Sequence, residues 1–195
     1  MKQSHRLNNV GLINRDKVIT FNFNGKSYQG YEGDTLASAL LANGVHLVGR
    51  SFKYHRPRGF IGAGVDEPNA KLQVTINGHS EPNINATEIE LVDGLSATSQ
   101  NCWPSVEFDI GAINNFLKKF FPAGFYYKTF MWPKSFWYKV YEPFIRKAAG
   151  LGVASLEKDK ERYEHKFEYC DLLVTGSGPS GLASCLLYTS DAADD

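Results

Sequence analysis

Three glycines near the C-terminal end have the spacing of a turn that binds phosphates. The segment Gly176-Ser177-Gly178-Pro179-Ser180-Gly181 follows the apolar run Tyr169 to Thr175 and precedes the run Leu182-Ala183-Ser184. In a strand–turn–helix of this kind, the first glycine permits a tight turn, the second lets the backbone approach a pyrophosphate, and the third lets the helix pack on the strand. The phosphates of a dinucleotide would then lie at the helix N-terminus.

The pattern predicts the first strand, turn and helix of a Rossmann-type α/β dinucleotide-binding domain at residues 168–184. The acidic ribose ligand that such domains carry about twenty positions later falls past the last residue, so both NAD and FAD stay open. Residues 185–195 are polar and acidic at their end, and they resemble translated sequencing-adapter sequence. We therefore expect a truncated domain followed by a foreign tail, in which Cys185 has no chemical role.

A second candidate site is a basic loop in the N-terminal half. It contains Arg50, Lys53, His55, Arg56 and Arg58, and no acidic residue follows before Asp66. Guanidinium groups suit both phosphates and carboxylates, so the loop is a candidate contact for the phosphates of a cofactor or for acidic residues of a partner. A solvated loop is the alternative, and His55 is expected to be structural rather than catalytic.

The elements around this loop predict a small α+β sheet with one helix across a face. Val18 to Phe23 and Lys26 to Tyr31 flank Asn24-Gly25, a dipeptide that favours the positive φ angles of a hairpin turn. Leu36 to Asn43 is predicted to be a helix, with an N-cap within Gly33-Asp34-Thr35 and Gly44 after its end. Further strands are predicted at Lys71 to Asn77 and at Thr87 to Val92.

The helix and its surroundings resemble the [2Fe–2S] ferredoxin-like β-grasp family, on the string Glu32-Gly33-Asp34-Thr35-Leu36-Ala37-Ser38-Ala39-Leu40-Leu41-Ala42-Asn43-Gly44. In that family the next loop carries the cluster cysteines, but residues 49–70 contain no cysteine. The sequence therefore predicts a β-grasp domain without an iron–sulfur cluster. No metal site is expected elsewhere, because the three cysteines are far apart and form no CxxC motif.

An aromatic connector joins the two candidate regions. Residues 116–144 hold half of the aromatic residues of the chain and are interrupted by three prolines. Short helices are predicted from Gly111 to Phe121 and from near Pro133 or Ser135. Aromatic side chains among lysines suit a domain or subunit interface better than a membrane surface or single-stranded nucleic acid, because the segment lacks a clean amphipathic face and the chain is not basic.

Composition restricts the class of protein further. The formal net charge is zero and 43% of the residues are hydrophobic, which excludes a disordered acidic chain and gives no general attraction to nucleic acid. The polar N-terminus has no secretory signal and no segment is apolar enough to span a membrane, so a cytoplasmic location is expected. The predicted organisation is an N-terminal arm (1–16), a β-grasp domain (17–100), the connector (101–167), the dinucleotide-binding segment (168–184) and the tail (185–195).

The order of these segments, with the loop Ser51-Phe52-Lys53-Tyr54-His55-Arg56-Pro57-Arg58-Gly59 between the helix and the connector, resembles the N-terminus of the α subunits of heterotetrameric sarcosine oxidases. The resemblance implies an N-terminal fragment of a subunit that binds NAD at Gly176, Gly178 and Gly181. It also implies an FMN site shared with the β subunit, and partners of the β, γ and δ types.

The whole complex of that family oxidises sarcosine to glycine and hydrogen peroxide and passes the one-carbon unit to tetrahydrofolate. No catalytic residue is placed within this sequence, so the chain alone is expected to be inactive. Two alternatives stay open. One is a subunit of a related amine-oxidising flavoenzyme, such as hydrogen cyanide synthase or opine oxidase, and the other is a non-catalytic β-grasp module that docks a flavoprotein.

Overall fold

The computed structural model describes residues 3–8, 10–120, 124, 130, 132–158 and 162–191. The chain divides into two compact units, residues 1–157 and residues 158–195. The first unit contains all the strands of the described part. They are β1 (Asn14–Phe23), β2 (Lys26–Glu32), β3 (Gly49–Arg50), β4 (Pro57–Arg58), β5 (Lys71–Ile76), β6 (His79–Asn85) and β7 (Ser96–Ser99).

Five of these strands form one mixed sheet in the order β2-β1-β7-β5-β6. Strand β1 pairs in parallel with β7, whereas the other neighbouring pairs are antiparallel. The two hairpin turns explain the register: Asn24 and Gly25 have φ angles of 48° and 76°, and Asn77 and Gly78 have φ angles of 51° and 83°. Two positive φ angles in succession define the turn type that matches the twist of paired strands, so the hairpin prediction at Asn24-Gly25 is confirmed.

Helix α1 (Leu36–Ala42) contributes the other half of the core. Thr35 and Ser38 form a capping box at its start: the Thr35 hydroxyl accepts from the Ser38 amide, and the Ser38 hydroxyl accepts from the Thr35 amide. Leu36 and Leu40 are fully buried and belong to one cluster with Phe21 and Leu72 of the sheet. The predicted α+β sheet with a helix against it is confirmed, and the helix ends at Ala42, one residue before the predicted end at Asn43.

The strand predicted at Thr87 to Val92 is wrong. Only Glu90 makes a bridge, to Thr35. The backbone of the segment bonds to the start of α1 instead: the Leu36 amide donates to the Ile89 carbonyl at 3.0 Å, and the Leu91 amide donates to the Asp34 carbonyl at 2.9 Å. The central strand of this region is β7, whose sequence Ser-Ala-Thr-Ser lacks the large alternating apolar residues that identify a strand.

The connector forms several short helical pieces rather than a long helix. They are 3₁₀ turns at Ile110–Ala112, Lys118–Phe120 and Lys134–Phe136, helix α2 (Ile113–Phe116), a π-helical turn (Trp137–Tyr141) and helix α3 (Glu142–Ala149). The two predicted helical regions are thus confirmed in place, with Phe121 outside the described residues. Within the described part of the chain, no helix is both long and apolar enough to cross a membrane.

The second unit contains helix α4 (Pro179–Asp191), which begins inside the predicted glycine motif. This helix continues past Ser184, where the sequence predicts a break into a foreign tail. Residues 192–195 of that predicted tail lie outside the described residues.

Candidate functional site

The glycine motif forms a tight turn at the start of α4. Gly176 has a φ angle of 99°, which a residue with a side chain rarely adopts. A Cβ atom on Gly181 would overlap the Gly176 carbonyl oxygen, so the third glycine allows the helix to lie directly against the turn. A Cβ on Gly178, in contrast, would meet no atom within 4 Å. The first and third glycines therefore have a structural role within the turn, and the second leaves a space beside the backbone.

The apolar run before this turn is not a strand in the structure, so the predicted buried strand at Tyr169 to Thr175 is wrong for the chain as described. Leu172 and Leu173 are exposed to 55% and 73%. A parallel strand needs neighbouring strands for its backbone hydrogen bonds, and the described residues of this unit, 158 and 162–191, contain no other strand. The glycine turn and the helix are formed, whereas the sheet that would support them is not.

The four cations of the basic loop do not converge on one point. Arg50 is bound internally: its guanidinium donates to the carbonyl oxygens of Val106 at 2.8 Å, of Glu107 at 3.1 Å and of His55 at 3.1 Å. Arg50 therefore ties the loop to the chain that follows β7. Strands β3 and β4 form a two-stranded ribbon, and this ribbon places Arg58 opposite Gly49.

Lys53 and Arg56 lie around one aromatic ring of the loop, that of Tyr54. The Lys53 ammonium is 5.1 Å and the Arg56 guanidinium 4.8 Å from the centre of the Tyr54 ring. Arg56 also donates to Asn115 Oδ1 at 3.0 Å. The predicted patch is thus two separate sites: one pair of cations on Tyr54, and Arg50 with Arg58 near the β3–β4 ribbon.

His55 forms a buried pair with an acidic residue that the sequence analysis did not single out. His55 Nδ1 and Asp109 Oδ2 are 2.6 Å apart, and both residues are 8% exposed. The other carboxylate oxygen of Asp109 accepts from the amides of Trp103 at 3.1 Å and Gly111 at 3.0 Å. The His55–Asp109 pair joins the loop to the connector, and the two amides hold the Asp109 carboxylate in place, in agreement with a structural role for His55.

Glu67 is a second buried carboxylate that the sequence analysis missed. It is 1% exposed, and it accepts hydrogen bonds from the amides of Ile61 (2.7 Å), Gly62 (2.6 Å), Asn69 (2.7 Å) and Ala70 (3.3 Å). Burial raises the pKa of Glu67, but the four amide donors outweigh burial and hold its pKa below the ordinary value. Because all four partners of the Glu67 carboxylate are backbone amides, no pairing of residue types in the sequence indicates this site.

Asp34, beside the start of α1, binds the N-terminal arm. Its carboxylate accepts two hydrogen bonds from the Arg6 guanidinium, at 3.0 and 2.6 Å, and others from Tyr31 N and the Ser38 hydroxyl at 2.9 and 2.7 Å. Burial raises the pKa of Asp34, but Arg6 and the other donors together lower it below the usual value. The arm is thus fixed by a forked ion pair that spans 28 residues of sequence.

Comparison with known proteins relates this arrangement to one group of enzymes. The chain is 60% identical over 183 residues to the sarcosine oxidase subunit alpha of Rhizobium meliloti (strain 1021), a match that covers 94% of the chain and 18% of the relative. It is 31% identical over 177 residues to the subunit of the same name from Corynebacterium sp. (strain U-96), covering 88% of the chain and 13% of the relative. The chain is a relative of the sarcosine oxidase α subunits. The resemblance in the sequence analysis is confirmed, and the chain spans less than a fifth of these relatives' length.

A family model and a solved structure match smaller parts of the chain. Residues 16–102 match the family described as a 2Fe-2S iron-sulfur cluster binding domain. The crystal structure of L-proline dehydrogenase from P. horikoshii aligns with a TM-score of 0.36 at 31% identity, over 47% of this chain and 17% of that one. A TM-score this low does not establish a shared fold.

The family match contradicts the prediction of a domain without an iron–sulfur cluster, because the matching family is one of cluster-binding domains. The prediction depended on the cysteine spacing alone, whereas a family match draws on the residues of the whole domain. The side chains of this domain do not provide the usual ligands: Cys102 is the one cysteine of the matched range, and the described residues contain no group of three or more His, Cys, Asp or Glu able to hold a metal ion.

The thiol of Cys102 gives a prediction about reactivity. Burial, and after it the nearby Asp109 carboxylate, raises the pKa of the Cys102 thiol, whereas Cys170 and Cys185 are exposed. We expect iodoacetamide at neutral pH to modify Cys102 about tenfold more slowly than Cys170, because the thiolate is the reactive form. Peptide mass spectrometry over a time course measures both rates. Equal rates in the folded chain would contradict the prediction, and equal rates in about 6 M guanidinium chloride are the control.

Proposed function

We propose that this chain forms part of an oxidoreductase of the sarcosine oxidase type, in which the turn Gly176 to Gly181 binds the phosphates of a dinucleotide. The observation that supports the turn's role most directly is the close approach of Gly181 to the Gly176 carbonyl, which sets α4 against a glycine with positive φ. The amides at the start of such a helix are free to bind phosphate. In this proposal the Rossmann-type strands that support the turn belong to the larger subunit.

The similarity to the two sarcosine oxidase α subunits supports the proposed activity. Within such an enzyme, the substrate is sarcosine, and the reaction yields glycine and hydrogen peroxide with transfer of the one-carbon unit to tetrahydrofolate. Such an enzyme would use a bound flavin to accept the hydride. In this proposal, residues Gly176 to Gly181 of this chain contribute phosphate contacts.

The docking surface for other subunits is proposed to be the first part of the connector. Four of its aromatic side chains are largely exposed: Trp103 (68%), Phe108 (70%), Phe116 (85%) and Phe120 (78%). Large exposed aromatic residues that lie close together in sequence are typical of protein–protein contacts, where their burial supplies most of the binding energy. Co-purification of the chain with the β subunit, lost on Phe116→Ser with Phe120→Ser, tests this assignment. Unchanged co-purification of that variant would contradict it.

The dinucleotide site gives a prediction with a matched control. We expect Gly178→Ala to weaken dinucleotide binding about tenfold or more and to leave the melting temperature unchanged, because a Cβ there meets no protein atom but occupies the space beside the backbone. The host is the Rhizobium meliloti subunit in which the matched 183-residue segment is replaced by that of this chain. NAD⁺ and FAD are titrated separately by calorimetry.

The control is Gly64→Ala, a glycine of the first unit whose Cβ would make an ordinary contact of 3.7 Å with Asp66. It is expected to bind as the unsubstituted protein does. Unchanged affinity of Gly178→Ala for both dinucleotides would refute the assignment of the phosphate site. Loss of sarcosine oxidation in the chimera without this substitution would argue only against the assigned reaction.

A further inference from the structure

A polar cavity of about 200 Å³ lies in the first unit, beside the β3–β4 ribbon and the sheet. Its lining includes Arg50, Arg58, Asn69, Lys71 and Asn101. None of the twelve lining residues is acidic. The cavity is independent of the glycine turn, which belongs to the second unit.

Three cationic residues line this cavity, and none of them has an acidic partner within the part of the chain that the structure describes. Arg50 is bound only to backbone carbonyls, and Lys71 Nζ donates to the neutral Asn85 side chain at 2.9 Å. The Arg58 side chain is exposed and, within the part of the chain that the structure describes, has neither a hydrogen bond nor an ion pair. A concave surface with charges of one sign concentrates the electric field, so this cavity attracts anions.

Two buried polar atoms, in two residues that line the same cavity, have no hydrogen-bond partner among the described residues. Asn101 is 6% exposed; its Nδ2 donates to the Arg50 carbonyl at 2.9 Å, but its Oδ1 accepts from no group. The Nδ2 group of Asn69 is also without an acceptor. Buried polar atoms of folded proteins are nearly always hydrogen-bonded, so an unused donor and an unused acceptor on one cavity indicate a ligand that supplies both.

We propose that this cavity binds a phosphate group, carried by inorganic phosphate or by a small phosphate monoester. Hydrogen phosphate has oxygens that accept from Arg58, Lys71 and the Asn69 amide, and a hydroxyl group that donates to Asn101 Oδ1. The guanidinium of Arg58 presents the fork geometry that suits phosphate oxygens. The volume admits a small molecule and is below the usual range of about 300 to 1,000 Å³ for drug-sized ligands.

The test is titration of the 195-residue chain with inorganic phosphate at constant ionic strength, followed by calorimetry and by the side-chain amide resonances of Asn69 and Asn101. We expect saturable binding with a Kd of about 1 mM or below, and shifts of both amide resonances. Arg58→Gln and Lys71→Gln should each weaken binding about tenfold. Glycerol 3-phosphate is the second probe: tighter binding of the ester assigns the site to a monoester, and equal or weaker binding assigns it to free phosphate.

Arg56→Gln is the matched control, because Arg56 belongs to the same loop but lies on Tyr54 and does not line the cavity. It should change the Kd less than about twofold. The proposal is overturned by an absence of saturable binding up to about 10 mM phosphate, by equal weakening in Arg56→Gln, or by unshifted Asn69 and Asn101 resonances. The resonances are measured on the unsubstituted chain, so the test does not depend on the folding of a variant.

Discussion

Replacement of Glu67 by Gln is expected to lower the free energy of unfolding of the first unit by about 3 kcal/mol. The physical reason is the set of four amides that donate to the Glu67 carboxylate within a site that is 1% exposed. A Gln side chain has one oxygen for these donors and turns its own NH₂ group toward the rest, so buried N–H groups lose their acceptor. Urea denaturation followed by tryptophan fluorescence measures the difference.

The effect of Glu67→Gln should depend on pH in a defined direction. The folded state holds the pKa of Glu67 below the unfolded value of 4.5, so its contribution to stability is present above pH 4.5 and is lost as the pH falls through the folded pKa. The difference in the free energy of unfolding between the unsubstituted chain and Glu67→Gln should therefore be constant above pH 4.5 and decrease below it. Glu107→Gln, at an exposed position, is the control and should have little effect. A gap below about 1 kcal/mol at neutral pH would contradict the role given to Glu67.

Replacement of Asp34 by Asn should also lower the free energy of unfolding of the first unit by about 3 kcal/mol, for a different physical reason. Asp34 is 2% exposed, and removal of its charge leaves the Arg6 guanidinium, itself only 14% exposed, without a counter-charge. Since the pKa of Asp34 is lowered in the folded state, this contribution is present above the unfolded pKa of 3.8 and is lost as the pH falls below it.

A double-mutant cycle separates the ion pair from the other contacts of Asp34. Arg6→Met combined with Asp34→Asn should be less destabilised than the sum of the single variants, because the second substitution removes the charge that the first leaves unpaired. Asp66→Asn, at an exposed position, is the control. Additive effects in the cycle would show that Arg6 and Asp34 do not interact in solution.

Local patterns were sufficient for the parts of the fold that local sequence determines. The Asn24-Gly25 turn and the helix cap are specified within a few residues: the turn is found as predicted, and the cap predicted within Gly33-Asp34-Thr35 is Thr35. Strand β7 was missed because its place between β1 and β5 depends on neighbours distant in sequence, and not on its own composition.

The side chains that hold the loops escaped prediction for the same physical reason. Glu67 accepts hydrogen bonds from four backbone amides, and backbone amides carry no residue-specific signal in a sequence. Arg6 pairs with Asp34, which is 28 residues away in sequence. The sequence predicts one basic patch, but its residues separate into Arg50 with Arg58 and Lys53 with Arg56, a separation that depends on the β3–β4 ribbon and on Tyr54. Spacing alone does not show which side of a loop each residue occupies.

The dinucleotide turn is tested most directly by amide hydrogen exchange on the chimeric subunit described above. If Gly176 to Gly181 binds phosphates through its backbone, saturation with NAD⁺ or FAD should slow exchange at the amides of this turn and the first residues of α4 by about tenfold or more. The β5–β6 hairpin, in the other unit, should exchange at an unchanged rate. Equal exchange at the turn with and without a bound dinucleotide would contradict the account.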